Sequence, residues 1–419
     1  MTSLPSTPMN HDDSSGQDTA KNRLELTAFL AAISLFCSSL ELLIPKPLPF
    51  FRLGLANLPL LIGLPLLGWK DYLWLMLLKT LGQGLVNGTL FSFQIALSAA
   101  STLASGPLMR LLWMIRGQKK PWISPIGISI CGAISSNIAQ LAVAQMLFFG
   151  PSIWLVAPPL FALGLATSLL VGLAASAFMR SSIWYARVHS EGLLPSRYSR
   201  ELSTDRKWKP NRSIIPVIMG LAMLPPLFLQ QNAGVQTLSM AACLLLALSS
   251  GRKFRPMPPL LLVFSMLFLS LLQPSGEILF HWGIIQITRD ALIQGWSKAM
   301  LLVSLIYVSL YMTSGRPSLP GTAGKLISTQ LSYFGQLSGG WTSRGKDSSK
   351  TNSSHRKKTY MSLLKTIDTI LCEASWESEE SPAAASGITA HAGKTSGFPI
   401  AAVLTILVLY TLPVIFRGI

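Results

Sequence analysis

The sequence is poor in charged residues, in cysteine and in histidine. Only 12% of its 419 residues are charged, and it has four cysteines and five histidines. Cys37, Cys131, Cys243 and Cys372 are scattered, so neither a disulfide framework nor a zinc-binding spacing is present. The histidines lie far apart and form no HExxH motif. We therefore predict no metal site, no cofactor and no catalytic residue.

Apolar residues, in contrast, make up half of the chain. A helix needs roughly 20 residues to cross a hydrocarbon core of about 30 Å. The sequence predicts an all-α fold, that of a polytopic integral membrane protein with about 11 transmembrane helices. The predicted spans cover residues 24–44, 54–69, 72–92, 94–115, 123–149, 153–179, 213–230, 235–250, 258–273, 290–312 and 398–416.

The polar segments divide these spans into two halves. Residues 1–21 are polar, and we expect a disordered N-terminal tail. Six spans follow in a first membrane domain, residues 22–180, and a basic linker, residues 181–212, ends it. The second membrane domain, residues 213–419, has four spans, a polar insert over residues 313–397, and one last span.

The formal net charge of +17 could indicate a nucleic-acid partner. Its distribution argues otherwise. With the N-terminus inside, 28 of the 34 Lys and Arg residues fall in cytoplasmic segments. This asymmetry is the positive-inside pattern of membrane proteins. We therefore predict a multi-pass protein of the cytoplasmic (inner) membrane with a cytoplasmic N-terminus, partnered with the lipid bilayer and with no nucleic acid.

The stretch Glu41–Asn57, ELLIPKPLPFFRLGLAN, is a proline-rich loop between two apolar segments. Three prolines fix its backbone geometry, which is typical of a lid or a docking surface. The charge distribution places this loop on the outer side of the membrane.

Next to this loop, the third predicted span carries Lys79, Gln83 and Asn87 at intervals of four residues, on one helical face. Polar side chains within a membrane span cost free energy unless they face a partner or a cavity. Lys79 is close enough to Asp71 to snorkel to the cytoplasmic interface, so we predict a structural role for it. The substrate-binding candidates lie under the loop, and they are Glu41, Arg52, Asn57, Gln83, Asn87 and Asn137. The alternative is that such polar groups only join helices by hydrogen bonds.

The sixth predicted span has a small residue at every fourth position, namely Gly164, Ser168, Gly172 and Ser176. Small residues allow close helix approach, so this side of the helix is predicted to be a packing face. The pattern does not say which helix it packs against.

A resemblance covers about residues 22–180. The motifs that carry it, in order, are LELTAFLAAISLF, ELLIP, PLPFFRLGLAN, LKTLGQGLVNGTLFS, ASTLASGPLMRL and SPIGISICGAISSNIAQ. They resemble the membrane proteins called heptaprenyl diphosphate synthase component I or Gx transporter, a family related to the substrate-binding S components of energy-coupling factor transporters. The resemblance implies a six-helix bundle that captures a small molecule.

The second half resembles the transmembrane T component of the same transporters, the cobalt-transport-permease-like family. The segments that carry this resemblance are FLQQN, SGRKFRPMP, PSGEILFHWGIIQIT and GWSKAMLLVSLIYVSLYMTS. It implies cytoplasmic coupling helices with Arg-centred motifs that bind ATPase subunits, and Ser343, Arg344 and Gly345 resemble one such motif. A second copy of the motif is missing. The alternative for Arg344 is a solvated charge on a basic loop.

The sequence shows no nucleotide-binding motif. GITAHAGKT has five residues between its glycines where a phosphate-binding loop needs four, and no strand precedes it. Two hypotheses follow. One is a fused S and T subunit of an energy-coupling factor importer for a vitamin-like molecule or a prenylated precursor, driven by ATP-binding-cassette ATPase subunits on other chains. The other is a non-catalytic membrane component of heptaprenyl diphosphate or isoprenoid synthesis.

Overall fold

The computed structural model describes residues 12–41, 54–117, 121–191, 215–230, 232–250, 256–271, 276–282, 285–314, 321–350, 367–372 and 398–415. These residues are almost entirely helical, which confirms the all-α prediction. One short antiparallel hairpin, Ile278–Trp282 (β1) with Ile285–Thr288 (β2), is the exception among them.

Seven α-helices are described in the first half. They are α1 (Asp12–Glu41), α2 (Leu58–Leu66), α3 (Trp69–Asn87), α4 (Phe93–Ile115), α5 (Pro125–Ala144), α6 (Ala157–Ser181) and α7 (Ile183–Glu191). A 3-10 turn, Leu55–Asn57, precedes α2, and a π turn, Gln145–Phe149, followed by a 3-10 segment, Gly150–Val156, joins α5 to α6.

The described part of the second half has another seven helices. They are α8 (Ile215–Leu229), α9 (Ala233–Ser249), α10 (Met257–Leu271), α11 (Arg289–Ser314), α12 (Gly321–Lys350), α13 (367–372) and α14 (Phe398–Ile415). The hairpin lies between α10 and α11.

Local sequence sets several of these boundaries. The Ser92 and Ser124 hydroxyls accept from Gln94 N and Gly127 N at the starts of α4 and α5, and each bond satisfies one of the helix's unpaired N–H groups. At the C-terminal end of α3, Gly88 has φ of 69°, and Thr89 N donates to Gly84 O at 2.8 Å. This left-handed glycine ends the helix in the usual way.

Helix α1 begins inside the segment that the sequence predicted to be disordered. Because α1 begins at Asp12, the last ten residues of the segment predicted to be disordered are helical, whereas residues 1–11 lie outside the described part of the chain.

Among the residues that the structure describes, five helices are long and apolar enough to cross a membrane, and they cover Asn22–Glu41, Phe93–Ile115, Pro125–Leu147, Ile153–Ser181 and Arg289–Ser314. Five other apolar helices have 10–17 residues and fall short of a full crossing. The helix α3 has 19 residues, three of them charged. The structure is thus consistent with a multi-pass membrane protein, but the count of about 11 complete spans is not confirmed.

The hydrophobic core has two parts, and each draws on both halves of the chain. The first part centres on Phe29 of α1, whose ring lies 5.5 Å from Trp184 of α7 and 5.1 Å from Tyr333 of α12. The second part joins the start of α4, the end of α5 and the start of α6 to α8–α11 and α14. The two sequence domains therefore share their cores.

The packing face of α6 contacts α5. A side-chain Cβ at Gly164 would meet Asn137, and one at Gly172 would lie 2.9 Å from Ile126 Cα. Glycine is therefore required for the close approach of the two helices. The structure thus confirms the packing face and places its partner within the first half.

One contact joins two helix ends that the predicted alternation of sides places on opposite faces of the membrane. Counting complete spans puts the end of α3 outside and the end of α11 in the cytoplasm. The structure joins these ends, because Ser309 Oγ donates to Gly88 O at 2.8 Å and accepts from Phe91 N at 2.9 Å. Helices α8, α9 and α10, with 15, 17 and 15 residues, are each shorter than a full crossing requires, so the number of complete crossings between these two ends is not fixed by counting apolar segments.

Candidate functional site

A cavity of about 480 Å³ lies inside the first-half bundle and is closed on one side by the second half. Helices α1, α3, α4, α5 and α6 line it, together with the turn before α2 and parts of α10 and α11. Its size is within the usual range for small-molecule sites.

Glu41, Asn57 and Lys79 form the charged end of this cavity. Gly54 begins the 3-10 turn with φ of 79°, and Asn57 N donates to Gly54 O at 2.9 Å. This tight turn holds the Asn57 amide over α3, where its Oδ1 accepts a hydrogen bond from Lys79 Nζ. Glu41 ends α1 at the same place and is only 5% exposed.

The predicted extension of the Lys79 side chain to the cytoplasmic interface is wrong. Its side chain is 4% exposed, lines the cavity and binds Asn57, which is on the side away from Asp71 at the start of α3. A depth estimate from residue counts missed this, because the same long stem can extend in either direction along the helix.

Gln83 lies one turn beyond Lys79 and joins three helices. Its Nε2 donates to Ser38 Oγ of α1 at 2.7 Å, and its Oε1 accepts from Ser98 Oγ of α4 at 3.3 Å. Asn87, one further turn along α3, also lines the cavity. The predicted polar face of α3 therefore does point into a shared space.

A second polar cluster joins α4 to α5 in the cavity lining. Ser101 Oγ and Ser136 Oγ are 2.5 Å apart, and Gln140 Nε2 donates to them at 3.3 and 3.0 Å. All three side chains are buried. Such bonds also join the helices, so both interpretations of these polar residues apply here at once.

Asn137 completes the polar lining on α5. Its Nδ2 lies 3.5 Å from Leu160 O of α6, and Gly164 provides the space for it. Five of the six predicted substrate-binding residues thus line one cavity. The sixth, Arg52, lies outside the described residues.

The second half contributes a wall that sequence reasoning missed. It consists of apolar residues from α10 and α11, namely Met257, Pro258, Leu261, Leu262 and Ile306. An apolar residue in an apolar helix carries no signal that distinguishes a cavity wall from a lipid-facing surface.

Electrostatically, Glu41 and Lys79 are the charged side chains among the described residues that line the cavity. No group of three His, Cys, Asp or Glu side chains in the described part of the chain could hold a metal ion. The cavity therefore offers a ligand hydrogen bonds from amides and hydroxyls, one acidic side chain, one basic side chain and apolar contacts.

Ser343, Arg344 and Gly345 lie far from this cavity in sequence, within α12. The backbone there is helical, so the motif is not on a loop as the alternative for Arg344 assumed. Its side chains lie outside the described part of the structure.

Two family models match the chain. Residues 30–178 match heptaprenyl diphosphate synthase component I, and residues 212–314 match a domain of unknown function (DUF8519). No curated protein and no solved structure matches. The second match names no activity, so the resemblance of the second half to T components has no support from these comparisons. Over residues 30–178, which include most of the cavity lining, the chain is similar to the heptaprenyl diphosphate synthase component I family.

Proposed function

We propose that this protein is the membrane subunit of an energy-coupling factor type importer. The first-half cavity binds a small substrate, and the second half couples it to separate ATP-binding-cassette ATPase subunits. The observation that carries the proposal is the contact of α12, a long helix of the second half, with the helices that form the cavity.

Gln330 of α12 makes the central contact. Its Nε2 donates to Ala31 O of α1 at 3.3 Å and to Leu78 O of α3 at 3.2 Å. It fits there because Gly82 of α3 has no side chain, and a Cβ at that position would collide with the amide. Gly82 precedes Gln83, and Leu78 precedes Lys79, so a displacement of α12 acts directly on two cavity residues.

The length of α12 suits a role in coupling. Its 30 residues extend about 45 Å at 1.5 Å per residue. The helix continues from the contact at Gln330 to Ser343–Gly345, the segment proposed to bind an ATPase. Beyond α12, Asp368 accepts from Ile183 N at 3.0 Å and Trp184 N at 3.2 Å, at the start of α7. Because α7 opens the basic linker, the chain after α12 lies on the linker's side.

We place this subunit in the cytoplasmic (inner) membrane with its N-terminus in the cytoplasm. The predominance of Lys and Arg in the linker supports this orientation. Eleven apolar segments lie in the membrane in this proposal, and the shorter ones do not cross it completely.

Affinity purification of the tagged full chain from membranes tests the proposal. We expect ATP-binding-cassette subunits to copurify, and Arg344→Ala to weaken that association while Lys346→Ala, a charge removal two residues away, leaves it intact. Purified complexes that contain a soluble prenyl synthase and never an ATPase would show that the proposal is wrong.

The alternative is a non-catalytic membrane component of heptaprenyl diphosphate synthesis. The family description matched by residues 30–178 favours it. The same purification separates the two functions, because a synthase accessory requires no ATPase contact at Arg344.

A further inference from the structure

The side of the cavity formed by the second half differs in chemistry from the rest of its lining. The first half contributes amides, hydroxyls, one acid and one base alongside apolar groups. The five residues that the second half contributes are all apolar. Leu262 is buried and Leu261 and Ile306 are half-buried, whereas Met257 and Pro258 are exposed, so the packed part of this wall consists of Leu261, Leu262 and Ile306.

Both surfaces restrict what the cavity can hold. A ligand that carries polar groups on all sides would press some of them against Leu261 and Ile306, which can form no hydrogen bond, and a buried unpaired polar group costs about 1–3 kcal/mol. A wholly apolar ligand would remove water from the charged end of the cavity at Glu41 and Lys79 without replacing its hydrogen bonds. Neither type of ligand satisfies the whole lining.

We propose that the ligand of this cavity is an amphipathic molecule whose polar side binds α3, α4 and α5 and whose apolar side lies against α10 and α11. The inference rests on the proposed function, since it assigns a substrate class to the same cavity. The second half is then part of the binding site as well as of the coupling apparatus, and Leu261, Leu262 and Ile306 set the specificity for the apolar side.

The contact between Ser309 and the turn after α3 supports a site shared by the two halves. Ser309 is three residues from Ile306 on α11, and its partner Gly88 directly follows Asn87, the last residue of α3. The hydrogen bonds of Ser309 therefore fix the apolar wall relative to the polar face of α3. A ligand that contacts both surfaces stabilises this junction.

Binding of three matched probes to the full chain in lipid nanodiscs tests the inference. Hexyl β-D-glucoside combines a polar and an apolar part, whereas glucose and 1-hexanol each supply one part alone. A ligand that binds only the folded state raises the unfolding midpoint in proportion to its affinity. We expect hexyl β-D-glucoside to raise the midpoint, and the two separate parts at the same concentration to leave it unchanged.

Two neighbouring leucines provide the matched variants. Leu261→Gln places a polar group on the wall, and we expect the affinity for hexyl β-D-glucoside to fall by on the order of tenfold. Leu260→Gln is the control, because Leu260 is 63% exposed and does not line the cavity. Should Leu261→Gln unfold the protein, Ile306→Thr on α11 makes the same test.

Three outcomes would overturn the inference. They are no shift with hexyl β-D-glucoside in the wild type, an equal shift with glucose or hexanol alone, and equal losses in Leu261→Gln and Leu260→Gln. The ATPase purification does not depend on these probes. If no ATPase subunit copurifies but hexyl β-D-glucoside binds as expected, the importer proposal is rejected and the amphipathic ligand is retained.

Discussion

Ser309 on α11 is hydrogen-bonded to Gly88, 221 positions earlier in the chain, and it accepts a second bond from Phe91 N. The hydroxyl acts as donor and acceptor within one turn, so it satisfies two backbone groups that α3 and α4 leave unpaired. The two halves of the protein are joined at this point, beside the cavity.

Loss of this hydroxyl should destabilise the protein. Ser309→Ala leaves Phe91 N without its acceptor, and we expect a loss of about 1–2 kcal/mol in the free energy of unfolding. Thermal unfolding of the purified protein measures it. Ser304→Ala is the control, because the Ser304 hydroxyl bonds only Met300 O in its own helix. Equal losses in the two variants would contradict the importance of the junction.

The same junction predicts the sidedness of two loops. Single cysteines at Thr89 and Ser314, in a background without the four native cysteines, should lie on the same side of the membrane. Labelling intact and broken cells with a membrane-impermeant maleimide measures this. The alternation predicted from eleven complete spans requires opposite sides instead, so opposite labelling would refute the contact of α3 with α11.

Lys79 and Asn57 should be energetically coupled. A hydrogen bond to a charged group contributes about 1.5–3 kcal/mol, and we expect a coupling of that order in a double-mutant cycle with Lys79→Met and Asn57→Ala. Chemical or thermal unfolding gives the four stabilities. The exposed neutral pair Trp154 and Gln145, 2.7 Å apart, is the matched control and should couple more weakly. Additive effects at Lys79 and Asn57 would contradict a stabilising hydrogen bond between them.

The fit of Gln330 against Gly82 predicts non-additive substitutions. Gly82→Ala should lower the unfolding midpoint, because the added Cβ meets the Gln330 amide, and a second substitution, Gln330→Ala, should restore part of the loss. Gly340→Ala in α12 is the control, since its Cβ would meet Ile370 at an ordinary 3.7 Å. Failure of Gln330→Ala to rescue Gly82→Ala would mean that α12 does not press on α3.

Asp368 should hold α13 to the start of α7. Its carboxylate accepts from the Ser182 hydroxyl and two backbone N–H groups, so Asp368→Ala removes three bonds at once. We expect the thiol of Cys372, in the same short helix, to react several-fold faster with maleimide as α13 detaches. The buried Cys243 is an internal control whose rate should not change. An unchanged rate at Cys372 would show that other contacts are enough to hold α13 against α7.

Sequence reasoning found the polar lining because the pattern is local. Lys79, Gln83 and Asn87 recur at helical spacing, and in an apolar helix such a stripe must face something other than lipid. The glycines and serines of α6 are a similar case, since small size every fourth residue indicates close packing whatever the partner is.

The sequence by itself determined the all-helical, membrane-type character of this protein, its polar face on α3 and the resemblance of its first half, because composition and periodicity follow from each residue's own chemistry. The tertiary structure decided the direction in which Lys79 extends, the apolar wall from α10 and α11, and the junction of Ser309 with Gly88. These depend on which distant surfaces meet. No single residue encodes such a meeting, since an apolar side chain has the same pattern whether it faces lipid, a core or a cavity.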